Sequence, residues 1–200
     1  MSFNPNAPAP EAAYNLIPSG VHAARCARII EIGQQHSPKF DTPEKKAIND
    51  KVIIAFALSN VTFDYPGLGE KQVFISNRYG ITKSTFERSP MQQYTKALDP
   101  KRETKHLREF LTRPCQVSIK HVMKDGKTYA NLDSVAPILP GIQIPELDVE
   151  PWMYEWDAPD YELWLSLNEQ QQELIKSAVN YPGSPTEKML HENSSDAIKI

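Results

Sequence analysis

The chain has 200 residues, of which 40% are hydrophobic and 24% are charged, so it can bury a core without disulfides or structural metals. It contains no run of about 18 apolar residues, no basic and apolar secretory leader, and only two cysteines. These features exclude membrane-spanning, secreted and fibrous classes. We therefore expect a protein of the cytoplasm that does not associate with membranes.

The net charge of −3 hides a strong asymmetry along the chain. Residues 1–139 carry 19 Lys+Arg against 13 Asp+Glu, whereas residues 140–200 carry 3 against 12. The three tryptophans also lie in the acidic part. This pattern predicts a basic body that binds a polyanion and an acidic tail, and the alternative is an ordinary solvated body with an acidic linker.

In chain order, the sequence predicts a flexible proline-rich arm at 1–19, followed by three strands, a helical region and two further strands. The strands are predicted at 20–32, 51–65 and 71–82, with a polar loop at 33–50 and a turn at 66–70. Helical segments at 84–98 and 101–111 are interrupted at Pro90 and Pro100. The last two strands, at 115–123 and 128–138, flank Asp125-Gly126, a strong signal for a two-residue hairpin turn.

This order of elements is that of the OB-fold, a Greek-key barrel that binds oligonucleotides. We therefore predict a mainly β fold over residues 20–140: a five-stranded OB-fold barrel with a helix between the third and fourth strands. Residues 141–200 are predicted to form an acidic, Trp-bearing and largely extended C-terminal tail. A short helix is expected within it near 168–180, because Asn168 and Gln171 have the spacing of a capping box.

No catalytic motif is present in the sequence. It has no glycine-rich phosphate loop, no nucleophile elbow and no paired histidines of a zinc protease. His22 with Cys26, and Cys115 with His121, are spaced too loosely for a zinc site, so buried thiols are the expected alternative. We predict a protein that is not an enzyme and that uses no cofactor or metal.

Aromatic and basic residues interleave where an OB-fold would bind nucleic acid. Alternation on the third strand places Phe74 and Arg78 on one face, opposite the face of Val73, Ile75 and Tyr79. Lysines flank both the first loop and the hairpin, where they could contact phosphates while an aromatic face accepts any base. The alternative is that Phe74 is core and the lysines are ordinary surface. The candidate nucleic-acid-binding residues are Lys51, Lys71, Phe74, Arg78, Lys120, Lys124, Lys127 and Tyr129.

Three segments carry a resemblance to a known family: IPSGVHAARCARIIEIG at 17–33, RPCQVSIKHVMKDGKTYANLDSVAPILPG at 113–141, and the acidic extension that follows. Together they resemble the single-stranded DNA-binding proteins of tailed bacteriophages. The resemblance implies an OB-fold that coats single strands without sequence preference during phage DNA replication or recombination, in the cytoplasm of the host. It also implies that the hairpin and third-strand residues named above contact the DNA. Functionally related bacterial proteins end in an acidic peptide closed by Pro-Phe, whereas this sequence ends in Ser-Asp-Ala-Ile-Lys-Ile.

We therefore expect single-stranded DNA as the partner, and the sequence does not distinguish DNA from RNA. The acidic tail is expected to recruit replication or recombination proteins, or to compete with DNA for the basic surface. The alternative is a protein–protein adaptor or virion component in which the barrel is only a scaffold.

Overall fold

The computed structural model describes residues 15–38, 46–65 and 67–196, and it is mainly β, with 42% strand and 21% helix. The described part contains strands β1 (Gly20–Pro38), β2 (Lys46–Tyr65), β3 (Gly69–Ser76), β4 (Ile81–Thr82), β5 (Pro114–Lys124), β6 (Lys127–Ala136) and β7 (Trp152–Tyr154). Its helices are α1 (Pro90–Leu98), a 3-10 helix (Leu107–Phe110), α2 (Tyr161–Leu165), α3 (Glu169–Lys176) and α4 (Pro185–Asp196).

The five longer strands form one antiparallel sheet in the order β3-β2-β1-β5-β6. Two short strands are added to it, because β4 pairs with β2 and β7 pairs in parallel with β1. Some Cα atoms of the edge strands β3 and β6 come within 8 Å of each other, although no ladder joins these strands in the described part of the chain. The sheet is therefore strongly curled into a half-barrel, which is compatible with the predicted OB-fold.

The inner face of the half-barrel holds the main core. On β2, alternation directs Val52, Ile54, Phe56 and Leu58 inward, and all four are buried. Helix α1 lies against this core, where the ring of Tyr94 meets that of Phe56 edge-on at 5.6 Å between centroids.

The loop predicted at 33–50 is mostly strand, so that prediction was wrong. Strand β1 continues to Pro38 and β2 begins at Lys46, with Gln34 opposite Asp50 and Gln35 opposite Asn49. Backbone hydrogen bonds hold this ribbon, and its polar side chains give no apolar alternation from which a strand could be recognised. Lys39 and Lys45, two of the lysines in the predicted loop, lie outside the described residues.

The third strand also ends earlier than predicted. Strand β3 stops at Ser76, and a turn follows in which the Gly80 amide donates to the Asn77 carbonyl at 3.1 Å. The turn places Tyr79, which was predicted to share a face with Val73 and Ile75, in solvent with 60% of its surface exposed. The alternation on which the prediction rested ends with β3 at Ser76, before the turn in which Gly80 adopts a left-handed φ of +67°.

The prediction of a largely extended C-terminal tail was wrong as well. Residues 152–196 contain β7 and three helices, and α3 begins with the capping box of Asn168 and Gln171. Extension residues form a second core with the outer face of β1 and β2. The buried members of this core are Ile30, Ile32, Ile53, Tyr154, Trp156, Trp164, Leu167, Ile175 and Ala178. Strands β1 and β2 are apolar on both faces here, and the extension keeps the outer face out of water.

The predicted N-terminal arm lies partly within the described residues. Ile17 is buried in the inner core, and its carbonyl is hydrogen-bonded to Nε2 of His121 at 2.8 Å. These contacts hold residues 15–19 against the body, while residues 1–14 lie outside the described part. None of the described helices combines the length and apolarity needed to cross a membrane.

Candidate functional site

The β5–β6 hairpin presents four of the eight predicted residues on one face. Opposed residues of an antiparallel ladder share a face, and so do residues two apart on a strand. The neighbouring pair, Ile119 with Leu132, packs on the inner core. The next residues along each strand therefore point to the outer face of the sheet. Its cross-strand pairs are Lys120 with Asn131, Val122 with Tyr129, and Lys124 with Lys127.

The hairpin turn holds two of these lysines in solvent. Asp125 and Gly126 have φ values of 51° and 73°, as the predicted two-residue turn requires. Lys124 and Lys127 are exposed and form no ion pair with any described residue, whereas Lys120 pairs with Asp133. The hairpin tip therefore carries two ammonium groups that are available to an anion.

Phe74 lies on the outer face of β3, as its alternation predicts, but its ring is not open on both sides. The residue is half-buried, and its register partner on β2 is Ala57. The guanidinium carbon of Arg28 lies 4.1 Å from the centroid of the ring. One face of the ring is thus occupied by a cation–π contact.

Arg28 is the residue of this surface that the sequence reasoning missed. Both Arg25 and Arg28 belong to the outer face, although residues three apart on a regular strand point to opposite faces. A bulge between Cys26 and Arg28 allows this, because Arg25 lies opposite Ala57 and Arg28 lies opposite Ala55. The sequence contains no signal for the bulge.

Arg78 lies away from Phe74 because it follows the end of β3. Its Nε donates to Oε1 of Gln170 in α3 at 2.8 Å, and its guanidinium carbon lies 5.6 Å from the Tyr79 ring centroid. The predicted pairing of Phe74 with Arg78 on one strand face is therefore wrong. The intervening turn breaks the alternation.

Lys51 and Lys71 lie at different places on the sheet. Lys51 is half-buried beside Ile53 on the outer face of β2, opposite Thr82, and burial lowers the pKa of its ammonium. Six residues of β2, about 20 Å, separate it from the position opposite Phe74. Lys71 is exposed on β3, opposite Phe63. The structure does not bring Lys51 to the Phe74 position.

Carboxylates and carbonyls of the extension bind two arginines of the body. Arg25 donates to the carbonyls of Ile144 and Pro145 at 2.8 and 2.7 Å and pairs with Glu146 at 3.2 Å. Arg108 of the 3-10 helix pairs with Glu155 at 2.8 Å. These contacts fix the start of the extension on the body, so some of its acidic residues neutralise defined arginines.

Both cysteines are buried, as the alternative to a zinc site predicts. Burial raises the pKa of the Cys115 thiol to about 12 and raises that of Cys26 as well, so both remain protonated at neutral pH. The described residues contain no group of three or more His, Cys, Asp or Glu side chains that could hold a metal ion.

Comparison with known proteins does not assign the chain to a family. It matches no protein-family model, and no curated protein matches it.

Proposed function

We propose that the half-barrel is an OB-fold and that the protein binds single-stranded DNA through the outer face of the sheet at the β5–β6 hairpin. The observation that carries this proposal is the shared face of Lys120, Lys124, Lys127 and Tyr129 on the β5–β6 hairpin. In OB-folds this hairpin flanks the groove in which oligonucleotides bind.

The chemistry of this face suits a flexible polyanion. Exposed ammonium groups can follow phosphates without a fixed geometry, and counterion release then supplies most of the affinity. Tyr129 lies between the Lys120–Asn131 and Lys124–Lys127 pairs, and its phenol ring can stack on any base, because every base has a π-face. Binding should therefore show little sequence preference.

The biological setting follows from the resemblance to phage single-stranded DNA-binding proteins. In this proposal the protein coats single strands during phage DNA replication or recombination in the host cytoplasm. The acidic extension is proposed to recruit other replication or recombination proteins. The exposed carboxylates of Glu169 and Glu173 on α3 are available for such contacts.

Fluorescence anisotropy of a labelled polythymidine oligonucleotide tests the proposal. A probe of about 20 nucleotides exceeds the usual site of about 4–16 nucleotides per OB-fold. Three to five phosphate contacts, at about −0.7 each, give a slope of log K against log salt of roughly −2 to −3.5. Unlabelled duplex should compete poorly. Equal affinity for duplex, or a slope near zero, would refute the proposal.

The adaptor alternative is favoured by apolar side chains away from the hairpin. Phe86 precedes α1 with 80% of its surface exposed, and Leu68 precedes β3 with 67% exposed. Aromatic residues such as phenylalanine are enriched at protein interfaces. A complex formed through them would resist salt, whereas the complex with DNA would not.

A further inference from the structure

An arginine of the central strand lies between two aromatic rings, one from the body and one from the extension. The guanidinium carbon of Arg28 is 4.1 Å from the ring centroid of Phe74 and 5.4 Å from that of Trp152. Strand β7 fixes this arrangement, because Trp152 is the register partner of Arg28 in the parallel ladder with β1. All three side chains are half-buried.

The charge of Arg28 is not neutralised within the described part of the chain. Its Nε is buried without a hydrogen-bond partner there, and no described carboxylate pairs with it. Three other arginines of the body do have carboxylate partners: Arg25 with Glu146, Arg108 with Glu155, and Arg113 with Asp99. A half-buried guanidinium without an anion carries a desolvation cost that an anionic ligand would offset.

The surroundings of Arg28 indicate which anion fits. Phosphate and carboxylate both match the guanidinium fork, but the flanking rings favour an anion that carries a flat aromatic group. Arg28 and the hairpin lysines lie on the same outer face, on either side of Arg25, whose guanidinium is held by Ile144, Pro145 and Glu146 of the extension. Arg28 is eight residues from Gly20, which lies opposite Ile119, so the path to Lys120 is about 25 Å along the strands. A bound strand of several nucleotides spans that distance.

We propose that Arg28, Phe74 and Trp152 form a nucleotide-binding subsite on the path of the single strand. Arg28 donates to a phosphate oxygen, and the two rings hold the guanidinium plane and offer their remaining surface to a base. The inference rests on the proposed function and deepens it. In this arrangement the extension contributes Trp152 to the DNA-binding site and does not compete with DNA for it.

The first test is the intrinsic fluorescence of the full-length protein titrated with the polythymidine probe. Trp156 and Trp164 are buried in the second core, so stacking of a base should quench Trp152 alone. Trp152→Phe, which keeps a ring, should retain most of the affinity and lose most of the quenching. Trp152→Leu should bind about 5- to 150-fold more weakly, the usual effect of one lost stack. Trp164→Phe is the matched control and should keep the quenching.

The second test is the salt dependence of binding. Arg28→Met should make the slope of log K against log salt less negative by about 0.7, the contribution of one phosphate. Arg88→Met, which removes an exposed arginine before α1, should leave the slope unchanged. Arg28→Lys keeps the charge and should keep the slope while weakening binding, and it replaces Arg28→Met if that variant does not fold.

The outcomes separate the subsite from the function. If wild type binds the probe but Trp152→Phe keeps the quenching, or if the Arg28 variants bind as wild type does, the subsite is refuted and the proposed function stands. If wild type does not bind the probe, both are refuted.

Discussion

The backbone of Gly33 lies so close to the indole of Trp156 that a Cβ at Gly33 would stand 2.4 Å from Cζ3 of that ring. Gly33 belongs to β1 and has a φ of +68°, a left-handed conformation that favours glycine. The next amide, of Gln34, donates to Oδ1 of Asn180 at 2.8 Å. The strand and the extension therefore meet at a point where a side chain does not fit.

Gly33→Ala should destabilise the protein by about 2–5 kcal/mol. The left-handed backbone costs an alanine about 1–2 kcal/mol, and displacing the Trp156 ring adds about 1–3 kcal/mol. The free energy of unfolding in urea measures the loss. Gly141→Ala is the matched control, because Gly141 has a φ of +86° but open space around its Cα, and it should lose only the backbone part. Equal losses in the two variants would show that the Trp156 contact contributes nothing.

The hairpin lysines should contribute to binding without contributing to stability. Replacing both Lys124 and Lys127 by alanine removes two exposed charges that have no described ion-pair partner. The salt slope for the polythymidine probe should become less negative by about 1.4, and the unfolding midpoint should stay where it is. Lys188→Ala, an exposed lysine on α4, should change neither quantity. If the double variant has the wild-type slope, the hairpin lysines do not contact the DNA.

Local chemistry allowed some of this surface to be predicted from the sequence. Asp125-Gly126 specifies its own turn, and alternation from that turn places Lys120, Lys124, Lys127 and Tyr129 on one face. Arg28 could not be placed in this way, because a single bulge residue, Ala27, changes its face.

The features that could not be predicted from the sequence depend on contacts between distant segments of the chain. Trp152 pairs with Arg28 across 124 residues of sequence, and a three-residue strand has too little pattern to reveal that partner. The acids and prolines of residues 141–160 indicate an extended chain locally, but burial of the outer face of β1 and β2 decides the structure. The apolar residues on both faces of these strands were the available signal that something covers them.

Deletion of residues 145–200 should destabilise the body rather than release a more active one. The deletion exposes Ile30, Ile32 and Ile53, which are buried against the extension, and re-exposing each costs about 1.5–3 kcal/mol. The truncated chain should show a lower thermal midpoint, bind a hydrophobic dye and aggregate. Thermal unfolding and light scattering measure these effects. A soluble, folded truncate that binds the probe more tightly at low salt would instead establish that the extension competes with DNA.

Asp99 should make stability depend on acid pH. Its carboxylate, only 2% exposed at the end of α1, accepts hydrogen bonds from the Thr104 hydroxyl and amide at 2.5 and 2.8 Å and pairs with Arg113 at 3.0 Å. These contacts, the Thr104 hydroxyl first, lower the pKa of Asp99 to about 2. In the unfolded chain an aspartate titrates near about 3.9. Between these values the unfolded state binds more protons, so acid favours unfolding there.

The stabilisation from Asp99 is therefore complete above about pH 5 and is lost as the pH falls toward 2. Urea unfolding of wild type and Asp99→Asn across this range should show a difference in stability that is largest near pH 6 and shrinks in acid. Asp157→Asn, which changes an exposed carboxylate without a described ion-pair partner, should show almost no difference at any pH. A wild-type advantage over Asp99→Asn that stays constant from pH 6 to pH 2 would mean that the ionised carboxylate of Asp99 does not hold the segment from α1 to Arg113 in place.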